Sequence, residues 1–68
     1  MNIRSERVRK GLTQEELAKA IGVSTGTLAR YEQNYTLVTG ASLIAMADLF
    51  DCSADYLLER TQERGRAS

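Results

Sequence analysis

Apolar residues recur along the chain at the three- and four-residue spacing of short amphipathic helices. No segment shows the strict alternation of a half-buried strand, so the pattern predicts an all-α fold. The fourth predicted helix begins after Thr39 or Ser42. The other four predicted helices cover residues 3–10, 14–21, 25–33 and 54–60, and the fourth ends at residue 50.

The ends of the predicted helices are marked by capping residues. Thr13 and Glu16 have the spacing of a capping box, in which the threonine hydroxyl and the glutamate carboxylate satisfy each other's backbone amides. Asn2 is a candidate cap for the first helix, and Ser24 for the third. Gly22 suits the left-handed end of the second helix. A three-residue turn containing glycine therefore joins the second and third helices, which is the arrangement of a helix-turn-helix.

Composition limits the classes of function open to the chain. Its 68 residues suffice for one small domain, predicted over residues 1–60, and the polar segment 61–68 is expected to fray. A single cysteine and the absence of histidine exclude an internal disulfide, a zinc site and a nucleophile paired with histidine. We therefore expect no enzyme activity, no metal and no cofactor.

Nothing in the sequence indicates export or membrane insertion. The first residues are charged and lack the apolar run of a signal peptide. The longest apolar stretch, residues 43–50, is interrupted by Asp48 and is too short to cross a bilayer. The sequence predicts a cytoplasmic protein with no membrane partner and no small-molecule ligand.

The net charge is zero, but the charges are unevenly distributed. Residues 1–34 contain six basic and four acidic residues, whereas residues 35–60 contain one basic and four acidic residues. The front half is therefore mildly basic and the back half acidic. This asymmetry permits binding to nucleic acid without requiring it.

Several blocks of sequence, taken in order, resemble the phage repressor/Cro class of helix-turn-helix proteins, often called the Xre family. The resemblance covers roughly residues 2–59 and implies a compact five-helix, lambda-repressor-like domain. It also implies that the third helix lies in the major groove of double-stranded DNA. The blocks are Leu12-Thr13-Gln14-Glu15-Glu16-Leu17-Ala18, Gly22-Val23-Ser24, Leu28-Ala29-Arg30-Tyr31-Glu32, Leu43-Ile44-Ala45-Met46-Ala47 and Ser53-Ala54-Asp55-Tyr56-Leu57-Leu58.

The resemblance implies a set of DNA-contacting residues. Gln14 matches a glutamine that contacts a phosphate and sometimes a base, although it can also be read as a polar residue of the first turn. Thr25, Gly26, Thr27 and Arg30 match the exposed positions of the recognition helix. Arg30 is the best candidate for a base contact, since arginine bonds bidentately to guanine; the alternative is a solvated charge.

The loop after the third helix departs from the family pattern. Asn34, Tyr35 and Thr36 match a loop that grips phosphate, but the glycine followed by a polar or basic residue is replaced here by Asn34-Tyr35. The loop thus carries no cation. Because affinity for DNA depends on the number of phosphates neutralised, a single copy is expected to bind weakly.

Two further groups of residues receive structural roles from the resemblance. Arg7 and Glu32 match an ion pair between the first helix and the end of the third, and are expected to support packing. Cys52, Tyr56 and Leu58 lie in the C-terminal region that often supplies the dimer contact, with core packing as the alternative.

The sequence predicts a sequence-specific, DNA-binding regulator of transcription that acts as a homodimer on a palindromic operator. The alternative is a protein-interaction module, such as an antitoxin or a regulatory partner, that keeps the fold with weak or no DNA binding. The neutral net charge favours this second reading slightly. A regulatory protein partner is compatible with both.

Overall fold

The computed structural model describes residues 2–65 and confirms the all-α fold. Over these residues it contains five α-helices, one 3₁₀ turn and no strand. None of the helices in this range has the length and apolar character needed to cross a membrane. The helices are α1 (Asn2–Arg9), α2 (Gln14–Ile21), α3 (Thr25–Gln33), α4 (Gly40–Phe50) and α5 (Ala54–Leu57), and the 3₁₀ turn is Tyr35–Leu37.

The helix-turn-helix unit is closed at each junction by the caps that the sequence indicates. Thr13 Oγ1 accepts the Glu16 amide at 3.0 Å, and Glu16 Oε1 accepts the Thr13 amide at 2.9 Å, so the capping box is complete. Gly22 ends α2 with φ 78°, a left-handed conformation that glycine adopts without strain. Ser24 then caps α3 by accepting the Thr27 amide at 3.1 Å.

The core lies where all five helices meet, and every helix contributes to it. Burying one large apolar side chain in this core stabilises the fold by about 1.5–3 kcal/mol relative to leaving it exposed. Cys52 is one of the fully buried core residues, with 0% exposure. This corrects its assignment as a candidate dimer contact, because a fully covered side chain cannot touch a second molecule. The largest fully buried side chains are Phe50, Ile3, Leu17, Leu28, Met46, Leu57 and Cys52.

The first helix is attached to this core by few apolar contacts. Its buried residues are Ile3 and Glu6, while Val8 is 59% exposed. Asn2, expected as an N-cap, is instead the first residue of α1, and its Nδ2 donates to the Tyr56 carbonyl at 2.6 Å. Polar contacts therefore hold α1 as much as hydrophobic burial does.

The C-terminal segment differs from its expected form. The fifth helix ends at Leu57, short of the expected residue 60, because Glu59 takes a left-handed conformation with φ 60° that a right-handed helix cannot continue. Residues 61–65 fold back onto the domain, where the Arg64 carbonyl accepts the Ser53 amide at 2.9 Å. Arg64 also donates to acceptors on the domain, and these bonds oppose the fraying expected for residues 61–65. Residues 66–68 lie outside the described residues.

The capping box generates a prediction about acid stability. The amide of Thr13, and then its hydroxyl, lower the pKa of Glu16 below its ordinary value of 4.5. A lowered pKa in the folded state means that the carboxylate stabilises the fold above about pH 4.5 and that this contribution is lost as the pH falls through the lowered pKa. Glu16→Gln keeps the cap but cannot titrate.

We expect the melting temperature of the wild type to fall more steeply between pH 5 and pH 2.5 than that of Glu16→Gln, as followed by circular dichroism. The matched control is Glu15→Gln, which alters an exposed carboxylate in the same first turn. Equal pH dependence in the wild type and both variants would contradict a stabilising role for the Glu16 charge.

Candidate nucleic-acid interface

One face of α3 is anchored in the core and the opposite face is open to solvent. Leu28 and Tyr31, on the inner face, are 0% and 5% exposed. Thr25, Gly26 and Arg30, three of the predicted recognition residues, are exposed. Because residues four apart share a helix face, Gly26 and Arg30 lie side by side on the outward surface.

Thr27, the fourth predicted recognition residue, takes part in the cap of its own helix. Its amide donates to Ser24 Oγ at 3.1 Å, and its Oγ1 accepts the Ser24 hydroxyl at 2.9 Å. The side chain is half-buried and is held at the turn between α2 and α3. Thr27 retains its hydroxyl hydrogen as a donor, while one of the two lone pairs of its oxygen serves the cap.

Gln33 is an exposed residue of the same face that the sequence analysis missed. It follows Arg30 by three residues and Gly26 by seven, so helical spacing places the three together. Following the helical periodicity to the last residue of α3 would have identified it. With an amide that both donates and accepts, Gln33 adds a group suited to base edges or phosphates.

The end of α3 is tied to α1 by the ion pair expected from the sequence. Arg7 Nε lies 2.6 Å from Glu32 Oε2, and Arg7 Nη2 donates to Glu32 Oε1 at 3.4 Å. A third bond runs from Arg7 Nη1 to the Leu12 carbonyl at 2.8 Å. The two side chains are 13% and 5% exposed, so the charges of Arg7 and Glu32 neutralise each other inside the domain.

Gln14 joins this ion pair, which the sequence analysis did not foresee. Its Nε2 donates to Glu32 Oε1 at 3.1 Å. Since an ionised carboxylate only accepts hydrogen bonds, the amide must turn its NH₂ group toward Glu32. One amide hydrogen and the carbonyl oxygen of Gln14 are then left for a ligand at the edge of α3. No local signal connects two residues that are 18 positions apart.

The loop after α3 is ordered by bonds within itself. Asn34 Oδ1 accepts both the Thr36 amide at 3.1 Å and the Thr36 hydroxyl at 2.6 Å, which caps the 3₁₀ turn. Tyr35 is half-buried and packs against the core. The three predicted loop residues are thus brought together, but the hydroxyl hydrogen of Thr36 is already engaged.

The predicted dimer residues lie in three different environments. Cys52 is buried in the core, as described above. Tyr56 is half-buried and its hydroxyl donates to Glu6 Oε2 at 3.5 Å; burial, with the charge of Glu6 beside it, raises the pKa of this hydroxyl. Leu58 lines an open groove of about 350 Å³. The other residues lining this groove are Tyr35, Thr36, Val38, Leu43, Glu59 and Arg60.

The part of the chain that the structure describes contains no cluster of three or more histidine, cysteine, aspartate or glutamate residues able to hold a metal ion. The predicted DNA-contacting residues, together with Gln33, include arginine, glutamine, asparagine and threonine side chains. Such groups form hydrogen bonds to phosphates and base edges.

Comparison with known proteins identifies the family of this domain. A helix-turn-helix family model matches residues 3–57, and the family is not one of enzymes. The repressor protein C2 of Salmonella phage P22 is 35% identical over 57 residues, which are 84% of this chain and 26% of that protein. The uncharacterised HTH-type transcriptional regulator YazB of Bacillus subtilis (strain 168) is 42% identical over 55 residues, covering 81% and 80% of the two chains.

Other relatives are longer than this chain. The HTH-type transcriptional regulator ImmR of Bacillus subtilis is 28% identical over 60 residues, 88% of this chain and 47% of that protein. The chain therefore spans about a quarter of the phage repressor and about half of ImmR.

A solved structure confirms the repressor-like fold. It is the crystal structure of the P22 c2 repressor protein in complex with synthetic operator 9T in the presence of Tl⁺. The TM-score is 0.79 with 33% identity, and the match covers 88% of this chain and 91% of that chain.

The Arg7–Glu32–Gln14 contacts generate a prediction about stability. Glu32→Ala leaves the arginine charge largely buried without a partner and removes the acceptor of Gln14. We expect a loss of about 3 kcal/mol in the free energy of unfolding, measured by urea denaturation. Glu15→Ala, which removes an exposed carboxylate of α2, is the control and should change stability by at most about 0.5 kcal/mol. Similar losses in both variants would show that the buried pair does not organise the domain.

Proposed function

The chain belongs to the Xre-type helix-turn-helix family, and we propose on this basis that it is a sequence-specific, double-stranded DNA-binding regulator of transcription. The observation that carries the proposal is the two-sided character of α3. Its inner residues are buried in the core, while Thr25, Gly26, Arg30 and Gln33 are exposed to solvent. The structural similarity to a repressor bound to its operator supports placing α3 in the major groove.

The exposed residues of α3 would make different contacts with the DNA. Arg30 has the geometry to bond bidentately to guanine O6 and N7, and Thr25 and Gln33 would contact phosphates or neighbouring bases. Gln14, held by Glu32, would use its remaining amide hydrogen on a phosphate. In this arrangement Gln14, at the edge of α3, positions the helix on the backbone of the DNA, and Arg30, near the middle of the helix, contacts the bases.

We propose that the functional unit is a homodimer, because one copy offers few cations to DNA. Arg7 is neutralised by Glu32, the loop at residues 34–36 carries no charge, and Arg30 is the one cation of α3. Electrostatic affinity grows with the number of phosphates neutralised. Two copies on a palindromic site, with half-sites about one helical turn apart, would double the contacts.

The groove lined by Leu58 is the surface that best suits a second copy. Its lining includes Tyr35, two residues after the end of α3, so a partner seated there would lie close to the DNA-binding face. Glu59 and Arg60 carry opposite charges at its edge, which a two-fold axis would pair with each other. The proposed interface keeps Leu58 from the sequence-based set and leaves out Cys52. We place the activity in the cytoplasm, where such a regulator meets its operator.

A protein-interaction module on the same fold is the second candidate function. The zero net charge and the uncharged loop favour it, since both reduce the attraction to phosphate. In this case the groove would bind a different protein, such as the partner of an antitoxin. The two functions differ in whether the wild-type chain selects any duplex sequence.

Selection from a random duplex pool, followed by affinity measurements on the selected site, tests the DNA-binding function. We expect Arg30→Ala to lose about tenfold in affinity and to relax discrimination at one base pair, because a bidentate contact contributes about 1–3 kcal/mol. Arg9→Ala is the matched control, since Arg9 is an exposed arginine of α1 that lies beside Glu6 and Phe50, away from α3.

Two outcomes would contradict the assignment. If Arg30→Ala and Arg9→Ala bind the selected duplex as the wild type does, α3 does not read DNA through Arg30. If the wild type enriches no duplex at low salt, the interaction module becomes the better reading. Binding that weakens steeply with salt supports contacts to phosphates.

A separate experiment tests the dimer surface. We expect Leu58→Asp to shift the chain toward monomer in sedimentation and to reduce affinity for a two-half-site duplex, because a charge replaces apolar surface in the groove. Val8→Asp, at an apolar residue of α1 that is 59% exposed and lies outside the groove, should leave both unchanged. Circular dichroism of both variants checks that they remain folded. An unchanged dimer in folded Leu58→Asp would exclude the groove as the interface.

A further inference from the structure

Arg64 makes extensive contacts although it lies outside residues 3–57, the region matched by the family model. Its Nε and Nη2 donate to the two carboxylate oxygens of Glu6 at 3.0 and 2.9 Å. Its Nη1 donates to the Asp51 carbonyl at 3.2 Å, and Nη2 also reaches the Phe50 carbonyl. Arg64 therefore closes the C-terminal end of α4 and binds α1 at the same time.

Glu6 needs this partner because it is nearly buried. Its exposed fraction is 3%, and a buried carboxylate is costly unless it is paired. The remaining groups near it are weaker partners: Arg9 Nη1 lies 3.7 Å away on a side chain that is 64% exposed, and the Tyr56 hydroxyl lies 3.5 Å away. The bidentate contact from Arg64 is thus the main compensation for burying this charge.

Glu6 and Arg7 connect two distant parts of the molecule through one short helix. Glu6 binds Arg64 of the C-terminal segment, and the next residue, Arg7, binds Glu32 at the end of α3. Consecutive helical residues point about 100° apart, so α1 spans the space between these two contacts. Since Ile3 is the one apolar residue that α1 buries, these polar contacts decide how firmly α1 is held.

We propose that Arg64 is a positioning residue for the DNA-binding face. By fixing Glu6 it holds α1 in place, and α1 in turn lets Arg7 hold Glu32, to which Gln14 is also bonded. Loss of Arg64 loosens α1 and shifts the end of α3 and the amide of Gln14 away from the geometry that contacts DNA. This inference rests on the proposed function for its effect on DNA affinity, but the mechanical link from Arg64 to α3 can be tested without DNA.

The test is a double-mutant cycle on DNA affinity, using Arg64→Ala, Arg7→Ala and the double variant with the duplex selected by the wild type. All measurements are made at a temperature where circular dichroism shows each variant folded. We expect Arg64→Ala to lower affinity about fivefold, in the range of ordinary coupling between sites. The same substitution in the Arg7→Ala background should cost no further affinity, although it still lowers the melting temperature.

Two comparison variants sharpen this result. Arg64→Lys should restore affinity in part, because an ammonium pairs with Glu6 but lacks the bidentate geometry. Gln62→Ala, at an exposed residue of the same segment, should bind as the wild type does. A purely stabilising role for Arg64 predicts instead that its effect on affinity is absent or is the same with and without Arg7, and either result would overturn the proposal.

Hydrogen exchange provides the measurement that does not depend on DNA or on the Arg7 variant. We expect Arg64→Ala to speed amide exchange in α1 and in the last turn of α3, with little change in α2. Faster exchange confined to α1 and the C-terminal segment would refute the link to α3. If the wild type binds no duplex, the proposed function fails, while the exchange pattern still decides whether Arg64 controls the end of α3.

Discussion

The carboxylate of Glu32 is the group on which the geometry of the proposed DNA-binding face depends. The side chain is 5% exposed, and its carboxylate accepts hydrogen bonds from Arg7 of α1 and Gln14 of α2 while belonging to α3 itself. A buried charge tolerates little displacement of its donors, since an unpaired carboxylate in the interior is costly. Glu32 therefore fixes three helices relative to one another at the edge of the surface proposed to meet DNA.

The domain uses a second buried carboxylate for a related reason. The core is small, and α1 contributes only Ile3 to it, so hydrophobic burial holds this helix weakly. Glu6, paired with Arg64, adds to the polar contacts that Asn2 and Arg7 make from the same helix. Buried ion pairs of this kind add little net stability compared with apolar packing, but they penalise arrangements in which the partners separate. Such pairs define the position of α1 more than they strengthen the fold.

The same distribution of charges explains why DNA binding is proposed for a dimer. Arg7 and Arg64 form ion pairs within the domain, and Asn34 and Thr36 of the loop at residues 34–36 are hydrogen-bonded to each other. What remains on α3 is a narrow surface centred on Arg30. A narrow surface can specify sequence through one or two base contacts. Its affinity for DNA would rise chiefly when two copies of the domain bind two half-sites, because the number of phosphate contacts doubles.

The sequence by itself determined the number of helices and the ends of α2, because caps act within a few residues: the Thr13–Glu16 box and the left-handed Gly22 are local features that tertiary contacts do not override. Helical spacing likewise assigned Arg30 to the outer face of α3. Only the tertiary structure placed the amide of Gln14 on Glu32 and the guanidinium of Arg64 on Glu6, since partners 18 and 58 positions apart leave no periodic signal. It also decided which apolar residues of the C-terminal region are covered, because burial depends on what packs against a side chain and not on the side chain alone.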